Sequence, residues 1–283
     1  MIYITIEEGM IMINEPRTYR HSPVQLGLVV LVFGILGIGL LTSLRWAEYL
    51  IMIPFAAFYV IVFLTMLYSL TTKTTISDTE ISTQTLLGTK SLGWNEINHV
   101  TGRGSAIKLN NSDGDVTVPV SSQLPGYEEI VEWIGIKRPD LFNPQNYSEM
   151  TRNWALWIFF PLIGLIVVGI GAFLMFQLDT DSGIFPFLIF FMIGIFIIMI
   201  SFVSPQSLTI DGKSLVIKYL FNEKTVLADE VRSVDLKYQR SRNGKIYYVL
   251  LNLVNGKTVR ISGLRPNLAV VFLTLKNWHK KNK

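Results

Sequence analysis

Four basic side chains within nine residues, Lys237, Arg240, Arg242 and Lys245 in "KYQRSRNGK", offer the clearest chemistry in this chain: attraction of anions with no bond made or broken. They flank Asn243-Gly244, a tight-turn dipeptide, so a β-hairpin would carry them together. One destination for such a group is a surface of anionic lipid headgroups, where each Lys or Arg contributes about 1 kcal/mol before screening. The same charges equally suit a solvated hairpin that follows the basic bias of cytoplasmic segments in membrane proteins. Nucleic acid is the poorer partner. Tyr238, Tyr247 and Tyr248 lie near the charges, but tyrosine is equally expected in strands.

Bond-making chemistry has little to work with. The chain has no cysteine, which excludes disulfides and thiolate nucleophiles. His21, His99 and His279 are far apart in sequence and none has a partner at zinc-ligand spacing. "GILGIG" from Gly34 lies inside an apolar run with no strand before it, so close helix packing accounts for it better than a phosphate cradle. Glu96 beside Asn95, and Glu230 beside Asp229, stand at turns before strands, where carboxylates cap backbone amides. No nucleophile elbow is available to begin a Ser-His-Asp triad. The expectation is no catalytic residue, no metal and no cofactor: not an enzyme.

The elements that must position the basic run come next. Half of the residues are hydrophobic and only 16% are charged. Four stretches lack Asp, Glu, Lys, Arg and His: Val24 to Leu44, Tyr49 to Leu70, Trp154 to Gln177 and Gly183 to Phe202. Their lengths fit transmembrane helices, and their short connections pair them into two hairpins. A signal peptide explains the first stretch poorly, because a second apolar run follows at once. Arg17, Arg20, Lys73, Arg152, Lys213 and Lys218 lie on one side of these runs, with Arg45, Glu48, Asp179 and Asp181 on the other. The positive-inside rule then puts both termini and both soluble segments in the cytoplasm. Trp46, Tyr49, Trp154 and Trp157 read as interfacial aromatics. Ionisable groups at depth, the usual tools of transport and intramembrane proteolysis, are missing from the runs.

An internal repeat orders the whole. At a shift of 134 residues, Thr75, Ile76, Leu86, Lys90, Glu96 and Val100 meet Thr209, Ile210, Leu220, Lys224, Glu230 and Val234. The first apolar pair falls on the second at the same shift, so the repeating unit is a helical hairpin followed by a soluble domain. Short β-rich runs fill both soluble segments: "TKTTIS", "EISTQT", "KSLGW", "NHVTG", "AIKLN" and "DVTVPV", then "SLTI", "SLVIKYL", "KTVLA", "VRSVDLKY", "KIYYVLLNLV" and "KTVRIS". "GYEEIVEWIGI" closes the first as an amphipathic helix, and a helix N-capped by Asn267 closes the second. The two differ in charge. Residues 71–152 hold seven Lys and Arg against ten Asp and Glu, a net of −3, whereas 205–283 hold fifteen against five, a net of +10.

A helical hairpin followed by "ISDTEI" or "TIDGKSL", an apolar strand, "WNEINHV" or "ADEVRSV", a glycine-bearing hairpin and a closing helix resembles the bacterial pleckstrin-homology-like (PH-like) domains of membrane proteins. The resemblance covers about 70 to 140 and 205 to 280. It implies a seven-stranded fold without enzyme chemistry. The expected fold class is therefore four transmembrane helices in two hairpins plus two cytoplasmic all-β PH-like sandwich or barrel domains, each closed by a C-terminal helix. The expected order is a lead-in at 1–23, hairpin at 24–70, PH-like domain at 71–140, linker at 141–153, hairpin at 154–203 and PH-like domain at 204–283. The function expected is that of a bacterial inner-membrane scaffold or regulator that binds protein partners or anionic lipid headgroups. The competing class is an accessory subunit of a membrane transport or export complex.

Overall fold

The computed structural model describes residues 15–43, 49–102, 104–152, 154–177, 180–203, 205–241 and 244–283. Arg45, Trp46, Glu48, Asp179, Arg242, Asn243 and the apolar N-terminal run "MIYITI" lie outside the described residues, as do the side chains of Tyr49, Trp154, Trp157 and Asp181. The chain divides into two compact units, Met1–Val100 with Lys108–Ile130, and Thr101–Ile107 with Val131–Lys283.

In the first unit the period-two pattern of "TKTTIS" and "EISTQT" becomes sheet. Strands β1 (Arg17–Arg20), β2 (Lys73–Ile76), β3 (Glu80–Thr85) and β4 (Gly88–Gly93) pair antiparallel in that order. Ile76 faces Ile81 and Ile81 faces Leu92 across the strands, and all three are buried. One-sided burial of this kind fixes register, because a slip of one residue would turn the row outward. Between β1 and β2 the chain makes two apolar helices, α1 (Pro23–Ser43) and α2 (Tyr49–Thr71). Arg20 pairs with Lys73 and Arg17 with Ile76, so the helical hairpin leaves and rejoins the sheet at one place. A three-stranded sheet, β5 (His99–Thr101), β6 (Ile107–Asn110) and β7 (Thr117–Val120), follows and lies mostly in this unit. Leu109, Val118 and Val120 add its buried face to the core, and the Trp94 indole donates to Ser77 O at 3.0 Å.

The second unit has the same strand order. Strands β8 (Glu149–Thr151), β9 (Ser207–Asp211), β10 (Ser214–Lys218) and β11 (Glu223–Leu227) form one sheet, with apolar helices α4 (Trp154–Gln177) and α5 (Thr180–Val203) inserted between β8 and β9. Strands β12 (Val231–Ser241), β13 (Gly244–Leu253) and β14 (Thr258–Ile261) form the other. Helix α6 (Leu268–Asn282) lies on β12 and β13 with Val271, Phe272, Leu275 and Trp278 buried. Asn267 Oδ1 accepts from Ala269 N at 2.8 Å and caps the helix. The stretch 141–153, expected as a linker, contains β8 and contributes buried Phe142 and Met150.

Two features of the expected fold class are overturned. Among the described residues two helical stretches, Ile53–Thr71 and Ile158–Gln177, are long and apolar enough to cross a membrane, rather than four. The apolar stretches described in α1 and α5, Pro23–Gly39 and Ile184–Met199, are shorter. As described, each of these stretches falls below the about 20 apolar residues that a bilayer crossing needs. The second correction concerns the helices. The strands form four antiparallel sheets, not two self-contained domains each closed by its own helix. Helix α3 (Tyr127–Lys137) gives Tyr127 and Ile130 to the first unit, but its remainder belongs to the second. There Lys276 Nζ donates to Glu132 Oε1 at 2.9 Å, and a Cβ on Gly135 would lie 2.4 Å from Leu273 Cδ2. Trp133, Val131 and Ile134 are buried in that remainder.

Candidate functional site

The basic run lies where β12 and β13 continue past the edge of the core. Along β12 Val234 and Leu236 are buried, and Tyr238 and Arg240 continue the same face outward; along β13 Leu251, Val249 and Tyr247 are buried and Lys245 follows. Arg240 stands directly opposite Lys245. Like charges at facing positions destabilise a sheet pair, and Lys245 relieves this by turning its ammonium over the Tyr238 ring, 4.3 Å from the centroid. Its Nζ also donates to the Tyr247 hydroxyl at 3.4 Å.

Lys237 belongs to the opposite face, facing Tyr248 across the ladder. Arg260 of β14 stacks on that same tyrosine, its guanidinium carbon 4.0 Å from the ring centroid. The expected single patch is thus divided. Arg240 and Lys245 come together on one face, and Lys237 joins Arg260 on the other. Arg242 lies outside the described residues. Arg260 was missed because it lies fifteen residues beyond the run; the alternation of "KTVRIS", with Val259 and Ile261 buried, is the signal that turns it outward.

The carboxylates at the paired turns are occupied. Glu96 Oε2 accepts from Gly93 N at 2.8 Å, and Glu230 Oε2 accepts from Leu227 N at 3.0 Å. Both satisfy a backbone amide at the start of a short 3₁₀ turn, the capping role anticipated for them. His99 is exposed on β5, His21 is half-buried between β1 and α1, and His279 is half-buried on α6. Among the described residues no group of three or more His, Asp and Glu side chains is placed to hold a metal ion.

No family model, curated protein or solved structure matches this chain significantly. The functional reading therefore rests on its own geometry. A further polar hollow of about 300 Å³ opens at the base of the basic hairpin, lined by Arg232, Ser233, Asn252 and Lys257. Two of its polar side chains are engaged with their neighbours: Asn252 Nδ2 donates to Asp235 Oδ2 at 2.6 Å and to Ser233 Oγ at 2.9 Å. This network braces the irregular pairing between Val231 and Ser233, from which the hairpin extends.

Proposed function

We propose that this chain is a non-catalytic integral membrane protein of the bacterial inner membrane, with its termini and both strand-rich units on the cytoplasmic side, acting as a scaffold or regulator. The observation that carries the anchoring is exposure. None of the apolar window of α2 is buried, and 11% of that of α4 is. Core helices of soluble proteins hide such surface, and a patch of this extent calls for lipid or a partner. Pairing of β1 with β2, and of β8 with β9, returns each helical hairpin to the side from which it left.

In this reading the two units descend from one duplicated hairpin-plus-domain ancestor of the PH-like kind. What supports this is agreement in contacts. The pairs Ile76 with Ile81 and Gly93 with Glu96 recur 134 residues later as Ile210 with Leu215 and Leu227 with Glu230. The distinctive part of the second unit is the basic hairpin. Arg240 and Lys237 have no ion-pair partner among the described residues, and they meet the anionic lipid surface in this reading. At about 1 kcal/mol each, the pair on either face, Arg240 with Lys245 or Lys237 with Arg260, contributes about 2 kcal/mol, enough to orient a unit that is already anchored.

The test uses the full chain in nanodiscs, because the second unit draws on residues 101–107 and 131–203 and its strands do not stand alone. A fluorophore on a single Ser241→Cys reports contact with lipid-borne quencher. Quenching should require anionic lipid, fall with salt, and be lost in Lys237→Gln/Arg240→Gln. Equal quenching in neutral and anionic discs would remove the lipid reading, and co-purification of transporter subunits in fixed ratio would replace it with the export-complex reading.

A further inference from the structure

The first unit carries a second basic feature that its net negative charge conceals. Inward rows across β2, β3 and β4 change character towards α2. Ile76, Ile81 and Leu92 form an apolar row, but the next row reads Thr74, Thr83 and Lys90. At this end a cavity of about 430 Å³ opens, lined among others by Tyr68, Leu87, Thr89, Lys90 and Lys108, and by no Asp or Glu among the described residues. That is ample for a headgroup-sized ligand. The side chains of Lys90 and Lys108 have no hydrogen-bond or ion-pair partner among the described residues. Two unpaired ammonium groups in an acid-free hollow favour an anion, and lysine binds phosphate as a point charge. In the second unit the corresponding row is Leu208, Ile217 and Lys224, where two apolar side chains stand in place of the buried Thr74 and Thr83.

Register says which end of the sheet this is. Strand β2 leaves α2 at Lys73, whose partner on β3 is Gln84. The turn from Thr85 to Gly88 therefore projects past Lys73 towards the helix end, where Tyr68 lines the same cavity. That turn exposes Leu86 by 59% and Leu87 by 88%. Adjacent exposed leucines beside a basic hollow combine an apolar wedge with a headgroup site. The second unit independently repeats the wedge: β10 returns to Lys218 opposite Ser207, and the turn beyond it carries Phe221, 83% exposed.

We infer that this hollow binds the phosphate of an anionic phospholipid headgroup, with Lys90 and Lys108 pairing the charge, and Leu86 and Leu87 entering the acyl layer. The inference rests on the membrane anchoring proposed above, and the site is separate from the basic hairpin. It is tested on the full chain in neutral detergent by native mass spectrometry, titrating phosphatidylglycerol, phosphatidylcholine, glycerol phosphate and inorganic phosphate. Phosphatidylglycerol should bind saturably and in preference to the other three. Lys90→Gln/Lys108→Gln should weaken it about thirty-fold, and Leu86→Ser/Leu87→Ser, on an exposed turn that cannot unfold the sheet, should weaken it as well. Lys237→Gln/Arg240→Gln should leave this affinity unchanged. Wild-type affinity in the Lys90/Lys108 variant, or equal binding of phosphatidylcholine, overturns the site. Glycerol phosphate or inorganic phosphate binding as tightly as the lipid overturns the lipid source. A carbonate wash of native membranes keeps the two readings apart: a chain released by it fails the anchoring, whereas one retained but indifferent to phosphatidylglycerol fails this inference alone.

Discussion

Replacing Asn267 tests how the second unit is assembled, because this one side chain joins the start of α6 to a segment some 160 residues earlier. Its Oδ1 caps the helix through Ala269 N at 2.8 Å, its Nδ2 donates to Ala106 O, and Leu268 N donates to Gly104 O at 3.0 Å. Asn267→Ser keeps an N-cap acceptor and loses the donor to Ala106. Ala106 is only half-buried, so water replaces part of that bond and the cost lies near the low end, about 1 kcal/mol. Asn267→Ala loses the cap as well, a further cost of about 1 kcal/mol. Hydrogen exchange of α6 amides in the full chain reads these differences directly, since each 1.4 kcal/mol of local stability is tenfold in rate. The serine variant should exchange about five-fold faster and the alanine variant about thirty-fold faster, with residues 104–107 losing protection alongside α6. Wild-type exchange in both variants would refute the link between these segments. Equal acceleration in both would refute the contribution of the cap.

Burial, together with the charge of Glu129, raises the Tyr19 hydroxyl to about 12. The neutral form is thus favoured in the fold, and its contribution is complete below the ordinary tyrosine value near 10 and lost as pH rises towards about 12. Burial raises Tyr147 and Tyr219 as well, so absorbance titration near 295 nm should show a late-ionising component that Tyr19→Phe diminishes; a Tyr19→Phe difference confined to the ordinary range would count against this. In the α4–α5 pair, a Cβ on Gly194 would lie 2.7 Å from Gly164 O and 2.5 Å from Val168 Cγ2, whereas one on Gly169 meets nothing within 4 Å. Gly194→Leu should therefore cost about 1–3 kcal/mol by overpacking and lower the melting temperature in detergent, while Gly169→Leu should not. Matching melts for the two would contradict the close helix contact.

The strands with apolar alternation, such as "EISTQT" at Glu80–Thr85, were legible because one buried face imposes period two, and Asn267 was legible as a cap from its place before an apolar helix. Strands β1 and β8 were not. "RTYR" and "EMT" have no such alternation, and they become strands only because the helical hairpins return β2 and β9 beside them. The boundary between units within α3 was hidden as well, because the amphipathic pattern of that helix runs unbroken across Ile130 and Val131. At the basic hairpin, types and turn were visible, but cross-strand register assigned Lys237 and Arg240 to opposite faces. The hollow at Lys90 depended wholly on register: its Thr74–Thr83–Lys90 row exists only across three strands.

In the proposed arrangement the chain is held in the membrane with its basic hairpin in the cytoplasm. Because the protein has no cysteine, a single Ser241→Cys is an unambiguous reporter. It should react with a membrane-impermeant maleimide in inverted inner-membrane vesicles and remain unlabelled in intact cells whose outer membrane has been permeabilised. Labelling in the intact cells, or release of the chain into the soluble fraction, would contradict the account.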